Sequence, residues 1–146
     1  MLADLGEARS RDWMVATPIV TPRTTVATAL RLIREQGLPA LPVCEGSRFL
    51  GLVTEKALLR LTPSEATTLD VYEQHAVLEK LTVARATVPA GGTVAPDAPL
   101  VTAAALMSRE GVEALPVVEG GRLIGLLIWT ALLAAAAGQP YLSRAG

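Results

Sequence analysis

The chain contains an internal duplication, and this feature constrains its fold more than any other. Residues 37–52 read GLPALPVCEGSRFLGL, and residues 111–126, which lie 74 positions later, read GVEALPVVEGGRLIGL. The same offset aligns Pro22 with Pro96 without a gap. Two units of about 50 residues are each too small for a comfortable core of their own, so we expect them to pack on one another and share a buried face.

The composition restricts the class of protein. Of the 146 residues, 51% are hydrophobic, and the formal net charge of -1 gives no electrostatic footprint for nucleic acid or for anionic lipid. The single cysteine, Cys44, has no partner for a disulfide, and the charged residues near the N-terminus do not fit a secretory signal. We therefore expect a cytoplasmic protein that binds neither nucleic acid nor membrane.

One stretch leaves a second interpretation open. Residues 123–143 contain no charged side chain, and this length could in principle cross a bilayer. Glycines, a glutamine and a proline interrupt the stretch, and the matching part of the first half carries Glu55 and Lys56. These features favour a buried strand followed by an alanine-rich packing helix over a membrane span.

The first half begins with a strand and a helix. Residues 17–22 are rich in β-branched side chains and bracketed by prolines, which is typical of a short edge strand. The helix that follows has its apolar positions at Val26, Ala29, Leu30 and Ile33. Thr24 or Thr25 is placed to cap this helix, and Gly37 is placed to end it.

A hairpin and a second helix complete the half. Residues 40–44 and 49–54 are apolar runs, and Gly46 between them can adopt the positive φ that a tight turn needs. Thr54 is placed to cap a helix that runs through Leu61. Each half is therefore predicted to be a β-α-β-β-α unit, and the fold class is α/β with mixed α+β character.

A helical linker and a second copy of the plan follow. Residues 62–65 have the form of a capping box, and a helix is expected through part of residues 65–81, with Val71, Leu78 and Leu81 on one side.

In the second half, residues 93–95 are predicted to form the short strand, and Asp97 and Gly111 to cap and end the helix that follows. The hairpin is expected over residues 114–128 and the last helix over residues 130–137.

The predicted organisation has five parts. They are a lead-in (1–13), a first repeat (14–61), a helical linker (62–85), a second repeat (86–137) and a C-terminal tail (138–146).

The doubled pattern resembles that of the CBS (cystathionine β-synthase) domain family. Each half has a proline-bracketed strand, a helix that ends in glycine, the sequence Ala-Leu-Pro-Val, an acidic-Gly turn and an apolar strand that contains Gly-Leu. The resemblance implies a stand-alone CBS pair, or Bateman module, in which two β-α-β-β-α repeats pack with pseudo-twofold symmetry. It also implies a regulatory role, with AMP, ADP, ATP or S-adenosylmethionine bound in two clefts between the repeats.

The nucleotide signature of that family is incomplete in both repeats. The family has Gly, two apolar residues, Ser or Thr, two variable residues and Asp, whose carboxylate accepts the ribose hydroxyls. In the first repeat the hydroxyl is retained as Thr54, but Ala57 replaces the aspartate. In the second repeat Ile128 and Ala131 replace both. Neither cleft therefore has the family's ribose acceptor.

The resemblance nevertheless assigns candidate ligand-binding residues position by position. Those of the first cleft are Thr54, Lys56, Ala57, Gly92, Val112, Glu113, Pro39 and Ala40. Those of the second cleft are Ile128, Thr130, Ala131, Pro18, Leu38, Pro39, Glu113 and Ala114. The first cleft is the better candidate, because Lys56 could meet a phosphate and Glu113 could replace the missing ribose acceptor.

The polar candidates also have purely structural interpretations. Thr54 caps a helix whether or not it binds a ligand, and Lys56 and Glu113 could be ordinary solvated side chains. The aromatic Trp129 could cover the mouth of the cleft, stack on a base or pack against another chain, and the enrichment of aromatic residues at interfaces favours the last of these.

No catalytic constellation is present. His75 lacks a neighbouring nucleophile or second metal ligand, and Cys44 lies within a core strand as an inert thiol. We therefore expect no enzyme activity, no metal and no cofactor other than a regulatory ligand.

Two functions remain open. One is a homodimeric regulatory module that binds an adenosine-containing ligand and signals to a protein target, which Gly51 and Thr54 favour. The other is a dimerisation or protein-interaction module that has lost nucleotide binding, which Ala57 and Ala131 favour.

Overall fold

Both halves contribute helices and a β-hairpin to the computed structural model, which describes residues 5–61 and 70–139. The first half contains α1 (Ser10–Trp13), α2 (Val26–Gln36), β1 (Ala40–Glu45), β2 (Arg48–Thr54) and α3 (Glu55–Leu59). Between the halves lie α4 (Val71–Lys80) and the 3₁₀ turn Val83–Arg85. The second half contains α5 (Leu100–Glu110), β3 (Ala114–Glu119), β4 (Arg122–Ile128) and α6 (Trp129–Ala136). The mixed α/β class predicted from the repeats is confirmed.

Helix α2 begins and ends where its sequence predicts. The Thr25 side chain accepts a hydrogen bond from the backbone N–H of Thr28 at 3.1 Å, so one of the unpaired N–H groups of the first turn is satisfied. Gly37 ends the helix in the left-handed conformation, with φ 66°.

Helix α5 departs from the prediction at its N-terminus. Its N-cap position is Pro99, without a side-chain cap, so the assignment of Asp97 as the N-cap is wrong. Asp97 instead accepts two hydrogen bonds from Arg11, at 3.0 and 2.7 Å. The Asp97 carboxylate is therefore bound to Arg11, which is distant in sequence, and does not cap the helix as its neighbouring residues would suggest. Gly111 ends α5 as predicted, with φ 67°.

The two hairpins lie in one four-stranded sheet with the order β1-β2-β4-β3. Each hairpin is antiparallel and turns through glycines of positive φ, which is 60° at both Gly46 and Gly120. Strands β2 and β4 meet through a single pair of residues, Arg48 and Arg122. Backbone pairing between the two hairpins is therefore confined to this point, and most of each hairpin pairs only within its own half.

The short strands predicted before α2 and α5 are reduced to single bridges. Val20 pairs in parallel with Val43, and Val94 pairs in parallel with Val117. Pro18 and Pro22 flank the first of these and lack the N–H groups that a longer ladder would require, which accounts for the short pairing there.

The start of each repeat pairs with the other repeat. Val88 exchanges backbone hydrogen bonds with Leu52 of β2, at N···O distances of 2.9 and 3.0 Å. Val15 does the same with Leu126 of β4, at 2.8 and 3.1 Å. Because Leu52 and Leu126 are one repeat apart, the exchange is reciprocal and ties each half to its neighbour.

Buried side chains also cross between the halves. Ala114, Leu126 and Ile128 of the second half lie in the same hydrophobic cluster as Val43 and Val53 of the first. The shared buried face that the short repeats predict is thus confirmed. Its burial supplies the main favourable free energy for holding the two units together.

The linker helix α4 lies within the range of residues 65–81 in which a helix is expected. Asp70 and Glu73 form a reciprocal capping box at its N-terminus, whereas the predicted box at residues 62–65 lies outside the described residues. Of the three apolar residues expected on one side, Leu78 and Leu81 pack on the core, whereas Val71 in the first turn is 78% exposed.

The uncharged stretch near the C-terminus is divided between two elements. It supplies most of β4 and then the eight-residue helix α6. Among residues 5–61 and 70–139, no helix is long and apolar enough to span a membrane.

Candidate functional site

A cleft of about 420 Å³ opens at the seam between the repeats. Three segments line it: the end of the first hairpin with the start of α3, the chain that leads into the second repeat, and the turn that follows α5. The lining residues are Pro39, Ala40, Leu52, Thr54, Glu55, Lys56, Val88, Pro89, Ala90, Gly91, Gly111, Val112, Glu113 and Ala114. Any molecule in the cleft would therefore touch both repeats at once.

The first wall carries Thr54 and Lys56. The Thr54 hydroxyl accepts a hydrogen bond from the backbone N–H of Ala57 at 3.1 Å and so caps α3, as its sequence position predicts. Lys56, two residues later, is exposed, and no carboxylate of the described residues lies within ion-pair distance of its ammonium group. Its positive charge is therefore available to an anionic group in the cleft.

The second wall is the segment Val88–Gly91, which we call the strap. Val88 is bonded to Leu52 of the first repeat, and Gly91 packs beside Glu110 at the end of α5, so the strap bridges the two halves. The strap approaches β2 closely, because a Cβ atom on Gly51 would collide with the carbonyl oxygen of Val88. Glycine at position 51 is thus a packing requirement of the cleft wall.

The third wall is the turn between α5 and β3. Gly111 reverses the chain with a positive φ, and the Glu113 carbonyl accepts a hydrogen bond from the backbone N–H of Trp129 at 2.9 Å. Ala114 follows immediately and is 3% exposed. The backbone at Glu113 is therefore held on both sides, while its side chain is exposed at the cleft.

The structure brings six of the predicted first-cleft residues together. These are Pro39, Ala40, Thr54, Lys56, Val112 and Glu113. Two others lie elsewhere. Ala57 packs against the core of the first repeat, and Gly92 faces Leu106 of α5, 2.6 Å from where its Cβ would stand, while its neighbour Gly91 lines the cleft.

Sequence reasoning missed the whole strap, together with Leu52, Glu55 and Gly111. The nearest signal is the segment Val88-Pro89-Ala90-Gly91, which combines an apolar residue with chain breakers just before a repeat. That pattern indicates an irregular extended segment but does not indicate which repeat it contacts.

Four of the eight residues assigned to the second cleft are buried. Leu38, Ile128 and Ala131 are 5%, 4% and 0% exposed, so their side chains face the core. Pro18 is half-buried, and Thr130 is exposed at the start of α6. The other three, Pro39, Glu113 and Ala114, line the first cleft instead. Gly125 is one repeat away from Gly51, and a Cβ atom on Gly125 would lie 2.6 Å from Sδ of Met14. Met14 thus packs on Gly125 as Val88 of the strap packs on Gly51.

The remaining candidate groups lie apart from the cleft. Burial raises the pKa of the Cys44 thiol above its ordinary value, which disfavours the reactive thiolate. Nε2 of His75 lies 3.3 Å from Oε1 of Glu79 on the exposed face of α4. Trp129 is 46% exposed on α6. Among residues 5–61 and 70–139, no group of His, Cys, Asp and Glu side chains is arranged to hold a metal ion.

Comparison with known families identifies the repeats. The model of the CBS domain matches two segments of the chain, residues 11–64 and 87–138. The chain belongs to the CBS domain family. Its duplicated halves are two CBS domains, and the resemblance inferred from the doubled Ala-Leu-Pro-Val pattern is confirmed.

A curated relative contains the CBS pair as a small part of a larger protein. The inosine-5'-monophosphate dehydrogenase of Korarchaeum cryptofilum (strain OPF8) is 34% identical over 111 residues, a match that covers 74% of this chain and 20% of that protein. The chain thus spans about a fifth of the length of this relative.

Two solved CBS structures share the fold along most of their length. The CBS-pair protein CBSX2 from Arabidopsis thaliana, in complex with AMP, superposes with a TM-score of 0.71 at 28% identity, covering 89% of this chain and 96% of that one. The CBS domain of a bacterial CNNM/CorC family Mg²⁺ transporter, in complex with ATP, has a TM-score of 0.72 at 23% identity and covers 93% and 92%.

Proposed function

We propose that this CBS pair is a non-catalytic regulatory module that binds an adenosine-containing ligand in the cleft between its repeats. The observation that carries the proposal is the open cleft of about 420 Å³ beside Thr54, because its volume and its largely apolar walls suit a small organic ligand. The AMP complex of CBSX2, which is 28% identical, supports an adenosine-containing ligand.

Different wall residues suit the base and the phosphate of such a ligand. Val88, Ala90 and Val112 offer apolar surface to a planar base. Lys56, which has no ion-pair partner among the described residues, offers its positive charge to a phosphate or carboxylate. We assign the ligand to this cleft and to no second one, since Ile128 and Ala131 on the opposite side are buried in the core.

The regulatory step follows from the contact with both repeats. A ligand that touches β2, the strap and the turn after α5 stabilises one relative packing of the repeats over others, provided that it binds that packing more tightly. We propose that a protein target senses this packing, and that the module acts in the cytoplasm as a homodimer.

Thermal unfolding with and without millimolar AMP, ADP, ATP and S-adenosylmethionine tests the proposal. A ligand present at 100 times its dissociation constant should stabilise the protein by about 2.7 kcal/mol. Val88→Trp should remove the ligand effect by placing an indole in the cleft. Val101→Trp, a matched control at a residue with similar exposure (50% against 52%) on α5, should retain it. If none of the four compounds raises the midpoint, the ligand-binding function is wrong.

A second function, dimerisation without a ligand, has its own supporting observation. Helix α6 carries no charged residue and exposes Trp129 and Leu133 to 46% and 56%, which is typical of a surface that packs against another chain. Leu133→Glu should convert a dimer to a monomer in light scattering after gel filtration. Val71→Glu, at an exposed apolar position on α4, should leave the dimer intact. A monomeric wild-type protein would exclude this function.

A further inference from the structure

We infer that Glu113 recognises the ribose of the ligand and restricts the cleft to nucleosides with free ribose hydroxyls. This inference rests on the proposed function and assigns its specificity to a residue of the second repeat. Ala57 has no carboxylate and packs against the core, so the first repeat supplies no ribose acceptor at position 57.

Among the described residues, two acidic side chains line the cleft, and one of the two carboxylates is already engaged in an ion pair. Oε2 of Glu55 lies 3.8 Å from Nε of Arg34, which draws this carboxylate into an ion pair. Glu113 is exposed, and no basic side chain of the described residues lies within ion-pair distance of its carboxylate. Of the two groups, Glu113 is therefore the one that can accept hydrogen bonds from a ligand without breaking an existing pair.

The position of Glu113 is fixed by its backbone. The left-handed Gly111 ends α5 two residues earlier, the Glu113 carbonyl is bonded to Trp129 N–H at 2.9 Å, and buried Ala114 begins β3. Only the side-chain torsions of Glu113 remain to be ordered on binding, which limits the entropic cost of recruiting its carboxylate.

The two walls of the cleft carry different charged side chains, although they come from two copies of the same repeat. Glu113 is one repeat away from Pro39, and both residues line the cleft, so the Glu113 carboxylate has no equivalent at the matching position of the first repeat. The carboxylate that the first repeat does bring to the cleft, Glu55, is paired with Arg34. Lys56 lies on the wall of the first repeat. A ligand with a diol and an anionic group would therefore bind in one orientation, with the diol at Glu113 and the anion at Lys56.

The chemistry predicts discrimination between ribose and deoxyribose. A carboxylate can accept hydrogen bonds from both hydroxyls of a vicinal diol, and a charge-assisted hydrogen bond is stronger than a neutral one. Removal of one such hydroxyl should weaken binding about tenfold or more. A site built around the diol also rejects the deoxy analogue because its carboxylate is left without a partner.

Isothermal titration calorimetry with AMP, ATP and their 2'-deoxy forms tests the inference, together with S-adenosylmethionine. The wild-type protein should bind the ribonucleotide about tenfold or more tightly than its deoxy form. Glu113→Gln should weaken binding of the ribonucleotide by a similar factor and bring the two forms close to equal affinity. Glu119→Gln makes the same change of charge at an exposed residue outside the cleft lining and should behave as the wild type.

The outcomes separate the inference from the function on which it rests. If the wild type binds an adenosine compound and Glu113→Gln retains both its affinity and its preference for ribose, the assignment of Glu113 is overturned and the proposed function stands. If the wild type binds none of the compounds, both are overturned. Equal unfolding midpoints of the two variants without ligand would show that the loss of affinity does not come from misfolding.

Discussion

The close approach of the strap to β2 predicts that Gly51→Ala is strongly destabilising. An alanine Cβ at position 51 would collide with the carbonyl oxygen of Val88 and lie 3.0 Å from its carbonyl carbon. Backbone atoms cannot rotate away as a side chain can, so the strap must move. That movement would disrupt the two hydrogen bonds between Val88 and Leu52, worth about 1 kcal/mol each, and add the strain of an overpacked site. We expect the free energy of unfolding to fall by about 2–4 kcal/mol.

The duplication supplies a matched control at Gly125. An alanine Cβ there would meet the side chain of Met14, at 2.6 Å from Sδ and 2.9 Å from Cγ. Because methionine is flexible and only half-buried here, it can adopt another rotamer, and Gly125→Ala should cost about 1 kcal/mol.

Urea unfolding followed by circular dichroism measures both variants against the wild type. We expect Gly51→Ala to lower the free energy of unfolding more than Gly125→Ala does. Equal losses, or a loss below about 1 kcal/mol for Gly51→Ala, would refute the distinction between a backbone and a side-chain obstacle.

Three further predictions concern a cap, an ion pair and a thiol. Thr54→Ala should lower stability by about 1 kcal/mol, because the Ala57 N–H loses its acceptor, and Thr54→Ser should restore most of it in the same urea assay. Asp97→Asn should cost less than about 1 kcal/mol despite the 2.7 Å contact with Arg11, because the two side chains are 77% and 50% exposed, and a larger loss would contradict this. Cys44, whose pKa is raised by burial, should react with Ellman's reagent only after unfolding. Its contribution to stability should be full below the ordinary thiol pKa of 9.0 and be lost as the pH rises through the raised value, a loss that Cys44→Ala should abolish.

Most of the fold could be predicted because its signals are local and occur twice. The caps at Thr25 and Thr54 and the glycines that end α2 and α5 each depend on a few neighbouring residues, and all four are observed where the sequence places them. Asp97 was assigned wrongly because its partner, Arg11, lies 86 residues away. Local sequence cannot indicate that competition.

The candidate site was predictable only in part, for the same reason. The positions of Thr54, Lys56 and Glu113 follow from the repeat, and these residues line the cleft. The strap does not follow from the repeat, because Val88 contacts a strand of the preceding half through a reciprocal exchange that no local pattern encodes. Ala57 is the opposite case. Its place in the repeat motif predicted a position in the cleft, but its side chain packs against the core.

The central claim is that a small molecule is held at the seam between the two CBS domains. A titration of the ¹⁵N-labelled protein with AMP and ATP, followed through its amide resonances, tests this most directly. We expect saturable changes in the amide chemical shifts of residues 54–57, 88–91 and 111–114, with little change in α4 or at the hairpin turns. Unchanged spectra, or shifts centred on another surface, would contradict it.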